Sequence, residues 1–582
     1  MSTNLSKIKR EKMLDTISKI KENVNDEETL KNLSLIEYEL TKKKYGLVWE
    51  EHEEKVDEEL KTQIPTFEEV KDKEIVSNKD DKFNFLLEGD NLHSLYLLEK
   101  THRGKIDVIY IDPPYNTGHR DFIYSDEYIN NDDGYRHSKW LSFMCNRIKI
   151  AHNLLSKSGL MFISIDDNEQ SQLKLLCDEI FGDTNCIAIL PTIMNLKGNQ
   201  DQFGFAGTHE YTLVYAKDMY NCNFGQFNVD EEEIEKEWLR DEVGYYKKGA
   251  NLKSTGVNAP REKRPNLYFP IYVLDETPCG KRDEDKEYKL EWSLEPKENY
   301  VPVYPITNGK EMSWRWSKNK FLNEAYDVII TSDGKDGISF YKKQRPNIGD
   351  MPTKKPKSFF YKPEYSSGNG TNQVVNIFGS KVFNNPKPVE LIKDFIRIGL
   401  NNNKGIILDF FAGSGTTGQA VLELNKEDNG NRQFILCTNN ENNICEDITY
   451  QRVRTVITGK RKDNTEYASN INANLKYYKT TYIPRLNTDE ESIQENLLVN
   501  IKNLIQLENG ISVDNEKIRV ILDEEEIDTF SLNAEEVSKC EKLYISTDIL
   551  LTSKQVKTFN DNNIEVYIIP EYYFENEIKE VQ

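Results

Sequence analysis

A short apolar run, Ile106-Asp107-Val108-Ile109-Tyr110-Ile111, ends on Asp112-Pro113-Pro114-Tyr115. Ile, Val and Tyr in a run of this length predict a buried strand, and the two prolines stop it. Such a strand sets a carboxylate, a rigid kink and an aromatic ring at the carboxyl edge of a sheet, where open α/β folds bind their ligands. About three hundred residues on, Gly405-Ile406-Ile407-Leu408-Asp409 predicts a second buried strand. It runs into Phe410-Phe411-Ala412-Gly413-Ser414-Gly415-Thr416-Thr417-Gly418, with a helix from near Gln419. Glycines between strand and helix permit positive φ and close approach of a ligand to the backbone. The helix start offers free N–H groups to a carboxylate.

These residue types suit one chemistry. The amino group on a base such as adenine is a poor nucleophile, because its lone pair is delocalised into the ring. Asp112 can accept one of its N–H bonds and the carbonyl of Pro113 the other, since proline keeps its acceptor while lacking a donor. That help grows as positive charge builds on nitrogen. Tyr115 offers a flat face to a base flipped out of the duplex. The bland alternatives are a tight Asp-Pro-Pro turn and a glycine loop that holds nothing.

Together these motifs resemble the amino-group DNA methyltransferases that use S-adenosylmethionine. With the catalytic tetrapeptide first and the glycine loop second, the resemblance is to the β class of adenine-N6 enzymes. It extends to Gly89-Asp90-Asn91-Leu92, Leu160–Asp167, Thr208-His209-Glu210-Tyr211 through Tyr215, and Phe383-Asn384-Asn385-Pro386-Lys387-Pro388. Within that class it is narrower still, to the modification subunit of Type III restriction–modification systems, through Trp49–Glu54, Arg264–Tyr268 and Thr438–Asn442. The resemblance implies an α/β chain: a Rossmann-like S-adenosylmethionine-dependent methyltransferase sheet with circularly permuted motif order. It implies Asp112, Pro113, Pro114 and Tyr115 as catalytic, and Asp90, Asp409, Phe411, Ala412, Gly413, Ser414, Gly415, Thr416, Thr417, Asn439 and Lys387 around the cofactor. The strand Gln433–Cys437 lacks the usual closing acid for the ribose hydroxyls, so Asn439 or Glu441 is expected there. Double-stranded DNA, a second copy of the chain and a helicase–nuclease restriction subunit are the expected partners. No metal and no covalent enzyme intermediate are expected. Cytosine N4 as the target, or a specificity subunit that delivers the nuclease, are the alternatives.

Length and composition agree. A chain of 582 residues with 37% hydrophobic content can build several domains. The eight cysteines include no Cys-x-x-Cys pair, which argues against structural zinc and a disulfide framework. The polar, charged start is unlike a secretory signal, and no stretch is apolar enough for a membrane span. The expected setting is cytoplasmic.

The net charge of −22 is unlike a DNA-binding protein, but it is unevenly spread. From Thr481 onward there are 22 acids against nine bases. Between Tyr341 and Pro363, Lys342, Lys343, Arg345, Lys354, Lys355, Lys357 and Lys362 face the single acid Asp350. Phosphate contact needs such local excess, whatever the sum. A solvated basic loop is the plainer reading.

The expected organisation is a helical N-terminal extension (1–80), a catalytic half-sheet (81–218), an inserted target-recognition domain (219–375), a cofactor half-sheet (376–480) and a small α/β interaction domain (481–582). Asn251, Lys253, Arg264, Arg315, Lys343 and Arg345 are the candidates for DNA contact, Arg and Asn being able to read guanine and adenine edges. Trp314-Arg315-Trp316 fits core packing as well as DNA contact. The acidic C-terminal part reads as a protein interface or a soluble appendage.

Overall fold

Ile106–Ile111 has no polar face, and a strand of that kind needs cover on both sides. In the computed structural model it lies inside a nine-stranded sheet. The structure describes all residues except 1–4, 25, 42–48, 80, 125–126, 131–132, 199–203, 275–290, 334–336, 347–350, 469, 486–489, 514–515 and 580–582; Asp350 is among the exceptions. The strands are β1 (Gln63–Glu69), β2 (Phe83–Glu88), β3 (Ile106–Ile111), β4 (Leu155–Ile165), β5 (Cys186–Ile193), β6 (His209–Ala216), β7 (Lys404–Asp409), β8 (Asn431–Thr438) and β9 (Asn474–Pro484). Their order is β1-β9-β2-β8-β7-β3-β4-β6-β5. The six neighbours from β9 to β4 run parallel, while β1 and β6 pair antiparallel at either side.

Alternate residues of β3 serve two layers, as the period of a strand requires. Ile109 and Ile111 join a core with the helices Asn91–His102 and Arg136–Leu154. Tyr110 turns the other way and stacks on Phe395 of the helix Val389–Gly399, ring centroids 5.8 Å apart. The expected methyltransferase-type α/β sheet is therefore present, with its permuted order.

Two strands had no clear signal in the sequence. The N-terminal extension is helical over Leu5–Lys21, Glu27–Thr41 and Lys55–Thr62, but it ends in β1, which pairs with β9. Neither shows clean alternation, because β1 and β9 are nearly continuous in burial. The acidic C-terminal part holds a three-stranded parallel sheet, Ile518–Ile521, Lys542–Ser546 and Glu565–Ile569. It belongs to the same compact unit as the large sheet. Before the three-stranded sheet come two helices, Glu490–Val499 and Ile501–Asn509, separated at Asn500.

The chain divides into two compact units, 1–225 with 357–582, and 226–356. The second is built on an antiparallel sheet ordered Leu239–Asp241, Gly244–Asn251, Gly337–Gln344, Val328–Asp333. Its core gathers Leu252, Phe269, Ile271, Trp314, Phe321 and Phe340. Trp314 and Trp316 are both buried, so the two rings of the Trp-Arg-Trp segment pack in the core while Arg315 between them is exposed. No described helix is long and apolar enough to cross a membrane.

Candidate active site

β7 and β3 are neighbours, with Ile407 opposite Val108 and Leu408 opposite Ile109. From β3 the sheet continues to β4 in one direction, and from β7 to β8 in the other. This is the reversal of strand order at which α/β sheets open a crevice for ligands. The Asp112 turn and the glycine loop, three hundred residues apart in sequence, leave these two strands side by side.

The turn is held from behind. Trp140 Nε1 donates to the Pro114 carbonyl at 2.7 Å. Asn116 sits at φ +58°, fully buried, and its amide donates to Glu169 Oε1 at 2.6 Å and to the Arg136 carbonyl at 3.2 Å. His137 Nδ1 lies 2.6 Å from the same oxygen. Burial pushes the Glu169 carboxyl up to about 8, against the pull of Asn116 and Arg136. The folded protein thus keeps a proton that the unfolded carboxyl releases near 4.5. Stability from this site falls as pH rises through that window, because the native state binds the extra proton. Glu169→Gln is expected to flatten the slope, which urea unfolding at both ends of the window measures; an unchanged slope would place the proton elsewhere.

Ahead of the turn, Tyr115 Oη is 2.9 Å from Asp112 Oδ1 and 3.1 Å from Glu210 Oε2. Lys387 Nζ donates to Tyr115 Oη at 2.8 Å and pairs with Asp112 at 2.9 Å and Glu210 at 3.3 Å. Lys387 was expected at the cofactor; the structure puts its ammonium among these carboxylates. A buried ammonium needs partners of opposite charge. Burial opposes its charge, but Asp112 and Glu210 outweigh that and hold it above the usual lysine range. Glu210 lies in the family-like segment Thr208–Tyr215, but nothing in its local sequence marks it as a site residue, because its partners come from the turn after β3 and from the Lys387 segment.

The glycine loop is braced by its own strand and by the helix Tyr450–Thr458 with the turn before it. Asp409 is buried, its Oδ1 accepting from the Phe411 N–H at 3.0 Å and its Oδ2 from the Thr417 hydroxyl at 2.5 Å. Burial raises its carboxyl to about 7. Both oxygens are turned to the loop, so Asp409 shapes it. Thr449 Oγ1 donates to the Gly413 carbonyl at 2.6 Å. Arg452, wholly buried, donates to Ser414 Oγ, Thr416 Oγ1 and Gln419 Oε1 at 2.8–2.9 Å. Thr449 and Arg452 are supports that the sequence did not mark.

Gly413 and Gly415 lie at φ +48° and +79°. A Cβ on the first would come 3.2 Å from the Phe383 ring, and on the second 3.2 Å from Thr449 Cγ2. The helix Thr416–Asp428 follows directly, its first-turn N–H groups free of helical partners. A bare backbone cradle against a helix start fits a cofactor that carries a carboxylate. Gly415→Ala is expected to cost about 1–2 kcal/mol from the left-handed conformation alone and to weaken cofactor binding; calorimetric titration and thermal unfolding check both.

Asp90 caps the helix Asn91–His102, accepting from the Leu92 N–H at 2.7 Å, and Asn91 donates to the Phe410 carbonyl at 2.9 Å, tying this segment to the loop. Asn439 is exposed just beyond β8, next to the Glu441–Asn443 turn. Asn440, not Asn439, supports that turn, accepting from the N–H groups of Cys445 and Glu446.

In the second unit the structure corrects two DNA candidates. Arg345 is clamped between Asp241 and Asp327, and Lys343 pairs with Asp241 at 2.6 Å. Their donors serve the fold. Lys253 is buried and its N–H is bonded to Asn251 Oδ1 at 2.8 Å. Arg264 and Arg315 are exposed.

The model of the DNA methylase family matches residues 106–451, from the start of β3 to just short of Arg452. The chain belongs to this family. The chain is 43% identical over 440 residues to the Type III restriction-modification enzyme EcoPI Mod subunit of Escherichia phage P1, a match covering 71% of this chain and 66% of that one. It is 33% identical to the Type II methyltransferase M.KpnI of Klebsiella pneumoniae, over 68% of this chain and 90% of that one. It is 30% identical to the StyLTI Mod subunit of Salmonella typhimurium, over 71% and 62%. The chain thus spans just under two thirds of the two Mod subunits.

Proposed function

We propose that this methylase transfers a methyl group from S-adenosylmethionine to N6 of adenine in double-stranded DNA, as the modification and recognition subunit of a Type III restriction–modification system. The observation that carries the chemistry is the adjacency of the Asp112 turn and the glycine loop on neighbouring strands. The 43% identity to the EcoPI Mod subunit supports the system.

The Phe411–Thr417 loop, Asp90 and Asn439 would hold the cofactor. When bound, S-adenosylmethionine supplies an activated methyl group, so no metal and no covalent enzyme intermediate are called for. Asp112 accepts a hydrogen bond from N6, orients its lone pair and stabilises the charge that develops there. Tyr115 stacks on the flipped base. Trp140, Asn116 and Glu169 keep the turn rigid. Arg264 and Arg315 are the remaining exposed basic candidates for DNA contact. A second copy of the chain, a helicase–nuclease subunit and a cytoplasmic setting complete the reading.

The test is methyl-labelled S-adenosylmethionine with the purified chain and unmethylated genomic DNA, digested to nucleosides. Label in N6-methyladenine is expected. Label in N4-methylcytosine would overturn the base, and no label the enzyme. Cleavage of unmodified DNA on adding the restriction subunit tests the Type III assignment; methylation without any such partner, as the likeness to M.KpnI allows, would replace it with a free-standing enzyme.

A further inference from the structure

A methylated amino nitrogen must lose a proton, and the residues assigned so far leave that proton at Asp112. Glu210 offers it a further step. Its strand β6, antiparallel to β4, brings the carboxylate to the far side of the Tyr115 hydroxyl, 3.1 Å away, while Asp112 lies 2.9 Å away on the near side. A phenol has one proton, so it donates to one carboxylate and can accept from the other. We propose that Asp112, the Tyr115 hydroxyl and Glu210 form a proton relay that carries the N6 proton to Glu210. The relay rests on the reading of methyl transfer to an amino nitrogen.

The step balances. Forming the new C–N bond would use the nitrogen lone pair while the methyl–sulfur bond of the donor breaks and leaves its electrons on sulfur, so N6 is left with four bonds and a positive charge. One N–H bond then breaks, its electrons stay on nitrogen, and the proton moves to Asp112. Asp112 passes a proton to the Tyr115 oxygen while the Tyr115 O–H proton moves to Glu210 Oε2. Asp112 is again a carboxylate, Tyr115 is neutral, and Glu210 is an acid that returns its proton to water between turnovers.

The surroundings favour this direction. Lys387 is the ammonium that faces both carboxylates and compensates one of the two negative charges, leaving one for a proton to neutralise. Glu210 Oε1 is buried and has no hydrogen-bond partner among the described residues, a position that suits a neutral carboxyl better than a carboxylate. Burial raises Glu210 above the ordinary carboxyl range, with Lys387 opposing and Asp112 adding to the rise. Tyr115, buried beside Asp112 and Glu210, is held well above the usual phenol range, so it hands protons on without becoming a phenolate. Two further titratable groups face the relay: Tyr110, likewise raised by burial and bonded to Ser164, and Asp409, which burial raises to about 7 and whose charge interacts with Asp112.

The experiment uses the full chain as wild type, Glu210→Gln, Tyr115→Phe and the double variant. Single-turnover transfer is followed against pH, and infrared difference spectra are recorded on the protein without cofactor or DNA. Each single variant is expected to slow transfer about a hundredfold, and the double variant no more than the slower single, as for groups that act in series. The wild type should show a carboxylic-acid carbonyl band that titrates and is missing in Glu210→Gln. Cofactor and DNA dissociation constants should be unchanged. The bands of Glu169 and Asp409 remain in every variant, so an unaltered acid limb in Glu210→Gln, losses that multiply in the double variant, or spectra that are the same with and without Glu210 would each overturn the relay. So would a loss of cofactor or DNA binding that accounts for the loss of rate. Should Glu210→Gln fail to fold, Tyr115→Phe at wild-type rate overturns it alone. A wild type that methylates no base would remove the functional reading beneath; a wild type that transfers while the variants match it removes only the relay.

Discussion

Asp112→Ala is expected to reduce methyl transfer by about a thousandfold or more while leaving the cofactor dissociation constant nearly unchanged. In the proposed mechanism this carboxylate accepts from the reacting amine, and its removal also frees Tyr115 and Lys387 to close on Glu210 alone. The glycine loop does not depend on it, because Asp409, Thr449 and Arg452 hold that loop through their own bonds. Single-turnover transfer and equilibrium dialysis separate the two effects. Transfer within tenfold of wild type would overturn the catalytic assignment of the Asp112 turn. An equal loss of cofactor binding would show the turn and the loop to be one structural unit.

Arg147→Ala is expected to cost about 3–5 kcal/mol of stability, the loss typical of breaking a buried ion pair from one side. The guanidinium is fully buried, donates to both Glu54 oxygens at 2.6 and 3.1 Å and to Asn91 Oδ1 at 2.6 Å, and lies 3.7 Å over the Phe143 ring. Without it Glu54 keeps a buried carboxylate, already raised by burial, with its charge unanswered. The same residue joins the segment after Trp49 to Asn91, which in turn holds the Phe410 carbonyl. Cofactor affinity is therefore expected to fall with stability. Urea unfolding measures the first effect and titration calorimetry the second. Pairing Arg147→Met with Glu54→Gln should restore part of the stability, because no lone charge is then buried. A loss below about 1 kcal/mol in Arg147→Ala would mean that water answers Glu54.

The parts of the fold that were legible are those with strong local signals. Ile106–Ile111 and Gly405–Asp409 are apolar on both faces, which only a central parallel strand explains. The prolines after one and the glycines after the other mark where each strand must stop. β1 and β9 were not legible, because edge pairing at a distance of four hundred residues leaves no local periodicity. The basic run before Pro363 was legible as charge but not as role. Arg345 and Lys343 look free in sequence, yet Asp241, a hundred residues earlier, claims both.

The sequence by itself determined the chemistry on offer: an acid, two prolines and an aromatic ring at one strand end, and a glycine cradle at another. Those signals are local, written in residues that adjoin one another and in backbone conformations that few residue types adopt. The tertiary structure alone decided which groups act together. It laid β3 against β7, so that two motifs from distant parts of the chain share one crevice. It brought Glu210 and Lys387 to Tyr115, and Glu169 and His137 to Asn116. Buried charges must find partners wherever the fold supplies them, and those partners come from strands whose proximity is set by the packing of the whole sheet.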